Sequence, residues 1–247
     1  MPLPKINAPI FELTLPSTGQ SVKYRPFLVK EQKILLMALN AEDNIGMVVA
    51  VKQIVNNCMV DPILDVDKLP MFDLEYFFLR LRAKSIGEDV NLTLRHPTGF
   101  NSKGKECDGS TELQLNLLDV DVVKSISHTD KIILDEESGI GIKFKYPDGK
   151  LATTFTVDEN SNQMDVATDA MINCIEFIFD KDSVYQKEDT TKEELLEFID
   201  RLSQEQFVML TNFFDTMPKL KHEIKWTCSK CKCEDAITLE GLASFFG

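Results

Sequence analysis

Three histidines in 247 residues leave little imidazole for general-base chemistry. No Gly-x-Ser-x-Gly elbow, phosphate-binding P-loop, dinucleotide glycine fingerprint or His-Glu-x-x-His pair occurs in the chain. The enzyme classes that depend on those motifs are thereby disfavoured. No uninterrupted apolar run approaches the roughly 20 residues of a membrane helix, and the opening Met1-Pro-Leu-Pro-Lys5 has no apolar segment of the signal-peptide kind. A soluble protein, cytoplasmic where it is made, is expected. Positive charge is scarce as well: 27 Lys and Arg face 40 Asp and Glu, a formal net charge of −13. Such a field repels phosphate backbones and disfavours nucleic acid as the main partner. No low-complexity stretch or long linker divides the sequence.

What the chain does have is six cysteines, half of them in one short run. Cys228, Cys231 and Cys233 stand in Trp-Thr-Cys-Ser-Lys-Cys-Lys-Cys, close to the end of the sequence. Two thiolates separated by two residues fit one side of a tetrahedral zinc, because a tight turn points both sulfurs inward. A redox pair of the same spacing normally opens a helix, whereas this one lies between two alternating segments. Upstream, His96 and Cys107 bracket a polar loop, 97–106, and supply a second half-site. His96, Cys107, Cys228 and Cys231 are therefore the candidate ligands of one structural zinc. Cys107 with all three C-terminal cysteines is the rival set, and His222 is a third possibility that strand alternation assigns to packing or solvent. His128, among polar residues, reads as a surface histidine.

The rest of the chain reads as α+β: a helical body with antiparallel β-hairpins and a zinc-ribbon-like element made from two distant hairpins. Phe11–Leu15 and Ser21–Tyr24 alternate around a Pro-Ser-Thr-Gly turn. Helices are expected over Ile34–Leu39, Val48–Cys58 and Phe72–Arg82, the last apolar on more than one face. Val90, Leu92 and Leu94 run into His96, and Leu113, Leu115 and Leu117 follow Cys107. Ile224 and Trp226 lead into Cys228, and Ile237 and Leu239 lead out. Strands Ile132–Leu134 and Ile140–Tyr146 follow the first ribbon hairpin, then a helix over Ala167–Phe179 and a charged mobile loop over Lys181–Lys192. Capping boxes Thr191-x-x-Glu194 and Ser203-x-x-Gln206 open two more helices. The segments are residues 1–88, a paired ribbon from 89–120 and 221–247, and 121–220, expected to form one integrated body.

Four stretches together carry a resemblance. They are Met1-Pro-Leu-Pro-Lys-Ile6 with Leu15-Pro-Ser-Thr-Gly19; Tyr24-Arg-Pro-Phe-Leu-Val-Lys-Glu31 leading into Lys33-Ile-Leu-Leu36; Asp73-Leu-Glu-Tyr-Phe-Phe-Leu79 with Leu81-Arg-Ala-Lys-Ser-Ile-Gly-Glu88; and the closing Cys-x-x-Cys with Leu239-Glu-Gly-Leu242 and Phe245-Phe246. The chain resembles the baseplate hub proteins of T4-like contractile-tailed phages, a group that includes the hub subunit and the hub assembly factor. That family often has a cysteine pair in the first ribbon hairpin, where this chain has His96 and Cys107. The resemblance implies a non-enzymatic phage protein that helps to build the tail baseplate hub in the host cytoplasm. Its partners would be other hub proteins, with no nucleic acid and no membrane. A zinc-ribbon adaptor binding nucleic acid or polymerase through Lys219, Lys221, Lys225, Lys230 and Lys232 is the alternative.

Charged residues sit inside these stretches: Arg25, Lys30, Glu31, Asp73, Glu75, Arg80 and Arg82. About half are expected to solvate helix faces, with Arg82 paired inside the fold or with a partner. Phe245 and Phe246 are expected either to fold back on the body or to dock into a neighbour. Removing residues 244–247 should then harm association more than folding.

Overall fold

The computed structural model describes residues 7–40, 44–154 and 163–245. Strands β1 (Phe11–Thr14) and β2 (Ser21–Tyr24) precede helices α1 (Val29–Asn40) and α2 (Asn44–Cys58), then β3 (Met59–Asp61) and α3 (Met71–Ser85). Strands β4 (Asp89–Arg95), β5 (Ser110–Asn116), β6 (Asp121–Val123), β7 (Lys131–Asp135) and β8 (Ile140–Phe144) come next. Short α4 (Leu151–Thr154) and α5 (Gln163–Cys174) lead to β9 (Ile175–Phe179) and β10 (Val184–Gln186). Helices α6 (Lys192–Asp200) and α7 (Gln204–Thr216) precede the final strands β11 (Lys219–Thr227) and β12 (Glu234–Glu240). The mixed α+β class is as the sequence indicates, and among the described residues no helix is long and apolar enough to cross a membrane.

Two compact units result, Met1–Val123 with Lys219–Gly247, and Lys124–Pro218. The second is an insertion into the first. Strands β6 and β11 pair antiparallel with Val123 opposite Lys219, so the chain leaves and re-enters the first unit at neighbouring points.

In the first unit α3 is the central element. Leu74, Phe77, Phe78, Leu79 and Leu81 are all fully buried, which uses more than one helix face, as the sequence implies. One apolar cluster joins them to β2, α2, the alternating inner residues Val90, Leu92 and Leu94 of β4, and Ile224 and Trp226 of β11. Several of the charges in the four sequence stretches cross-link this unit. Glu31 is buried and pairs with Arg25 at 3.0 Å. Burial pushes the Glu31 carboxyl up, but Arg25, the Leu28 N–H and Lys30 together hold it below its usual range. Arg25 also donates to the Asn57 carbonyl at 2.8 Å. Asp73 is buried and accepts the Ser17 N–H at 3.0 Å and the Ser17 hydroxyl, although burial still raises its pKa. Arg80 donates to the carbonyls of Leu117 (3.0 Å) and Val120 (2.9 Å), fixing the segment between β5 and β6 on α3. Arg82 is partly buried, and burial pulls its guanidinium below the usual value.

In the second unit the sheet runs β10-β9-β8-β7. Helix α5 stops at Cys174, and Ile175–Phe179 is a strand paired with β8. The spacing of Met171, Cys174, Ile175 and Ile178 suits one helix face, yet Ile-Glu-Phe-Ile-Phe is β-branched and aromatic, and sheet pairing wins over periodicity. All four side chains are buried even so. The expected charged loop contains β10, paired with β9, and Lys187 donates to the Ile172 carbonyl at 2.8 Å. Both capping boxes form as the sequence indicates. The core centres on Phe213, stacked on Phe144 at 4.8 Å between ring centroids and also against Tyr146.

His128 is no plain surface residue. Its Nδ1 meets the Thr216 hydroxyl at 3.0 Å and its Nε2 the Tyr146 hydroxyl at 3.1 Å, with the ring packed on Phe213. Burial, and then the charge of Lys124, lower its pKa, with Asp130 opposing. A histidine kept neutral in the fold binds its proton more readily when unfolded, so its contribution to stability falls as pH drops below about 6.5. The stability difference between wild type and His128→Gln should therefore shrink between neutral and mildly acidic pH. Urea midpoints at the two pH values measure it, and a constant difference would contradict the reading.

Candidate metal centre

Two hairpins build the centre. In the first, β4 and β5 pair from Asp89–Asn116 to Arg95–Ser110, and the long connection between them carries His96 and Cys107. The Gly99 N–H donates to the His96 carbonyl at 3.0 Å and the Cys107 N–H to the Gly99 carbonyl at 2.7 Å, which folds the loop back so that both residues face one point. Asn101, buried, accepts the backbone N–H groups of Lys103 and Lys105 at 3.0 Å each and shapes the loop tip. In the second hairpin β11 and β12 pair from Lys221–Glu240 to Thr227–Glu234. Its turn is closed by Cys228 N–H to the Cys233 carbonyl (2.9 Å) and Lys232 N–H to the Cys228 carbonyl (3.0 Å). Lys232 adopts φ 59°, the left-handed conformation the turn requires.

The hairpins are fastened to each other beside the centre. Ser229 N–H donates to the Thr111 hydroxyl at 2.9 Å, and Ser102 donates to the Glu234 carbonyl at 2.8 Å. Lys230 pairs with Asp108 across the gap. Gly109 lies at the contact itself. A Cβ there would stand 2.6 Å from Cβ of Lys230, 2.9 Å from Sγ of Cys228 and 3.3 Å from Sγ of Cys107. Gly109→Ala is accordingly expected to push the hairpins apart and weaken metal retention, while a control change at the exposed Glu106, Glu106→Ala, leaves metal content alone. Metal analysis of the two variants checks this; equal content in both would sink it.

The structure brings His96, Cys107, Cys228 and Cys231 together, with their ligand atoms all within 4.8 Å of one another. Cys107 and Cys228 sulfurs are 3.8 Å apart, and Cys231 Sγ is 3.5 Å from His96 Nε2. A tetrahedral ion bound at about 2.3 Å to sulfur and about 2.0 Å to nitrogen requires S···S edges of about 3.8 Å and N···S edges of about 3.5 Å. These two edges match a tetrahedral ion, and the four residues could hold one. Cys233 is not in this group; it is buried, with Sγ 3.7 Å from the Cys231 carbonyl. His222 lies half-buried on the inward face of β11.

Local electrostatics at Cys228 and Cys231 favour thiolates, the form that binds a cation, whereas the Cys107 thiol is raised. The Cys231 N–H and then that of Lys230 lower the Cys228 thiol despite burial. The Cys233 N–H, opposed by burial and helped by His96, brings Cys231 down to about 6. His96 is raised to about 9, chiefly by Asp235, whose carboxylate lies 2.8 Å from Nδ1. That contact assigns Nδ1 its N–H, so it is Nε2, on giving up its proton, that faces the sulfurs and can ligate a metal. Trp226 packs on the same ring, 5.1 Å between centroids. Asp235, Gly109 and Asn101 escape sequence reasoning. A glycine two residues past Cys107 is the one local hint, and it acquires meaning when the second hairpin is in place.

The comparisons with known proteins decide the family. From residue 8 to residue 247 the chain matches the family described as T4 bacteriophage base plate protein. The chain belongs to this family. Comparison with curated proteins and with solved structures gave no match. A T4-like baseplate protein has contacts with other phage tail proteins as its setting, and the match spans both compact units, including the two metal-site hairpins.

Proposed function

We propose that this baseplate protein is a non-enzymatic component of the tail hub, acting as structural subunit or assembly factor through contacts with other hub proteins in the host cytoplasm. The family match along nearly the whole chain carries the reading. His96, Cys107, Cys228 and Cys231 would hold one structural zinc per chain. With four protein donors the tetrahedron is closed, leaving no coordination position for a substrate or an activated water. The metal's part is to clamp two hairpins whose sequence positions are more than a hundred residues apart.

The lysines that would serve a nucleic-acid adaptor are largely engaged. Lys219 and Lys221 approach Glu240 at 3.0 and 3.8 Å, and Lys230 pairs with Asp108. That favours a protein partner over a phosphate backbone. Affinity purification of the tagged full chain from infected cells is expected to recover baseplate hub components. Recovery of polymerase or nucleic acid in their place would support the adaptor, and metal-dependent turnover of a substrate would defeat the non-enzymatic assignment.

A further inference from the structure

The two units differ sharply in charge. Lys124–Pro218 contains nine Lys and Arg against twenty Asp and Glu, a net −11, so the remainder of the chain carries −2 of the total −13. Within the described helices α1 and α2 the lone carboxylate is Glu31, which is buried, while Lys30 and Lys33 are exposed. The outer face of α1 is apolar as well as basic. Val29, Leu36 and Met37 are 68%, 52% and 73% exposed and fall with Lys30 and Lys33 on one stripe at helical spacing. Burying its inner side, Leu35, against α2 leaves this stripe facing outward.

Helix α7 in the second unit carries the opposite pattern. Glu205, Val208, Met209, Asn212 and Asp215 recur at intervals of three and four and are all exposed, while Leu210 and Phe213 face the core. On α7 the apolar centre is flanked by acidic residues, and on α1 Lys30 and Lys33 precede the apolar pair Leu36 and Met37. Exposed methionine on both suits an adaptable helix-on-helix contact.

We infer that the α1 face is a docking surface for a second copy of this chain, seated by that copy's α7 face. The contact is head-to-tail: it uses different surfaces on the two copies, so repetition closes a ring or continues as a short oligomer. Lys33 meets Glu205, with Lys30 one turn beyond, and Leu36 and Met37 cover Val208 and Met209. The inference deepens the proposed assembly role by naming one partner, and it stands or falls separately from binding to other tail proteins.

Sedimentation velocity of the full-length protein tests it. Between about 1 and 100 µM, self-association is expected at about 50 mM salt and is weakened at about 500 mM, because the charged rim is screened. Lys33→Glu and Glu205→Lys should each weaken association by about tenfold or more, and an equimolar mixture of the two should restore it, since opposite charges face each other again in mixed pairs. Lys33→Ala and Glu205→Ala, each of which removes one of the facing charges and should weaken association, are the second pair if either first variant fails to melt like wild type. A wild type that stays monomeric over this range overturns the inference. So does association that neither exchange affects, or loss that mixing fails to restore. If α1 variants lose only a different tail protein, the face belongs to that protein and the self-docking assignment is wrong. Co-purification of hub components, scored separately, decides the assembly role.

Discussion

Protein purified without chelators is expected to contain about one zinc per chain, and Cys228→Ser to contain almost none. Cys228 is fully buried, its sulfur is 3.8 Å from that of Cys107, and its backbone closes the second turn. Metal removal should lower stability by several kcal/mol, on the scale of a melting-temperature fall of roughly 10 °C or more, because the ion ties together segments more than a hundred residues apart in the sequence. The single tryptophan makes the event visible. Trp226 packs against His96, so chelation should change its fluorescence and added zinc should restore it. His96→Ala should lower metal content, whereas Cys233→Ser should keep it. The reverse result would assign the site to the four cysteines, and metal-free wild type would end the zinc proposal.

Replacing Phe245 by alanine should cost about 3 kcal/mol or more, as for other fully buried phenylalanines. The side chain has no exposed surface and lies in the main cluster of the first unit. Its short 3-10 turn, Leu242–Phe245, is held by the Leu242 N–H on Glu75 at 3.2 Å and the Gly241 N–H on the Leu220 carbonyl at 3.0 Å. Burial, opposed by the Leu242 N–H, raises the Glu75 carboxyl. This corrects the expectation that the terminal residues serve association more than folding: Phe245 is a core residue, while Phe246 lies outside the described residues. Removing residues 244–247 is therefore a folding mutation and a poor test of docking. Thermal denaturation of Phe245→Ala checks it, and a wild-type melting curve would return the residue to the surface.

Local rules read much of this molecule from the sequence. Alternation in β4 and β11 placed Val90, Leu92, Leu94, Ile224 and Trp226 inside, and the two capping boxes marked where α6 and α7 begin. These features depend on neighbours within four residues, where backbone geometry fixes which side chains share a face. The same rules failed at Ile175–Phe179, since a spacing that suits a helix is equally served by a helix that runs into a strand. They also did not say which charges are solvated. Lys30 and Lys33 are exposed, but Arg25, Glu31, Asp73 and Arg80 in the same stretches are tied into the fold, and nothing in their spacing separates the two groups.

The sequence by itself determined that a Cys-x-x-Cys pair stands between strands and that a second pair of ligand types flanks a polar loop. Tertiary structure alone decided that His96, and not Cys233, joins the group, that Asp235 orients its ring, and that Gly109 must have no side chain. The physical reason is distance along the chain. Cys107 and Cys228 are 121 residues apart, and His96 and Cys231 are 135 apart. Their approach is set by the packing of both hairpins on one core, which no local pattern encodes.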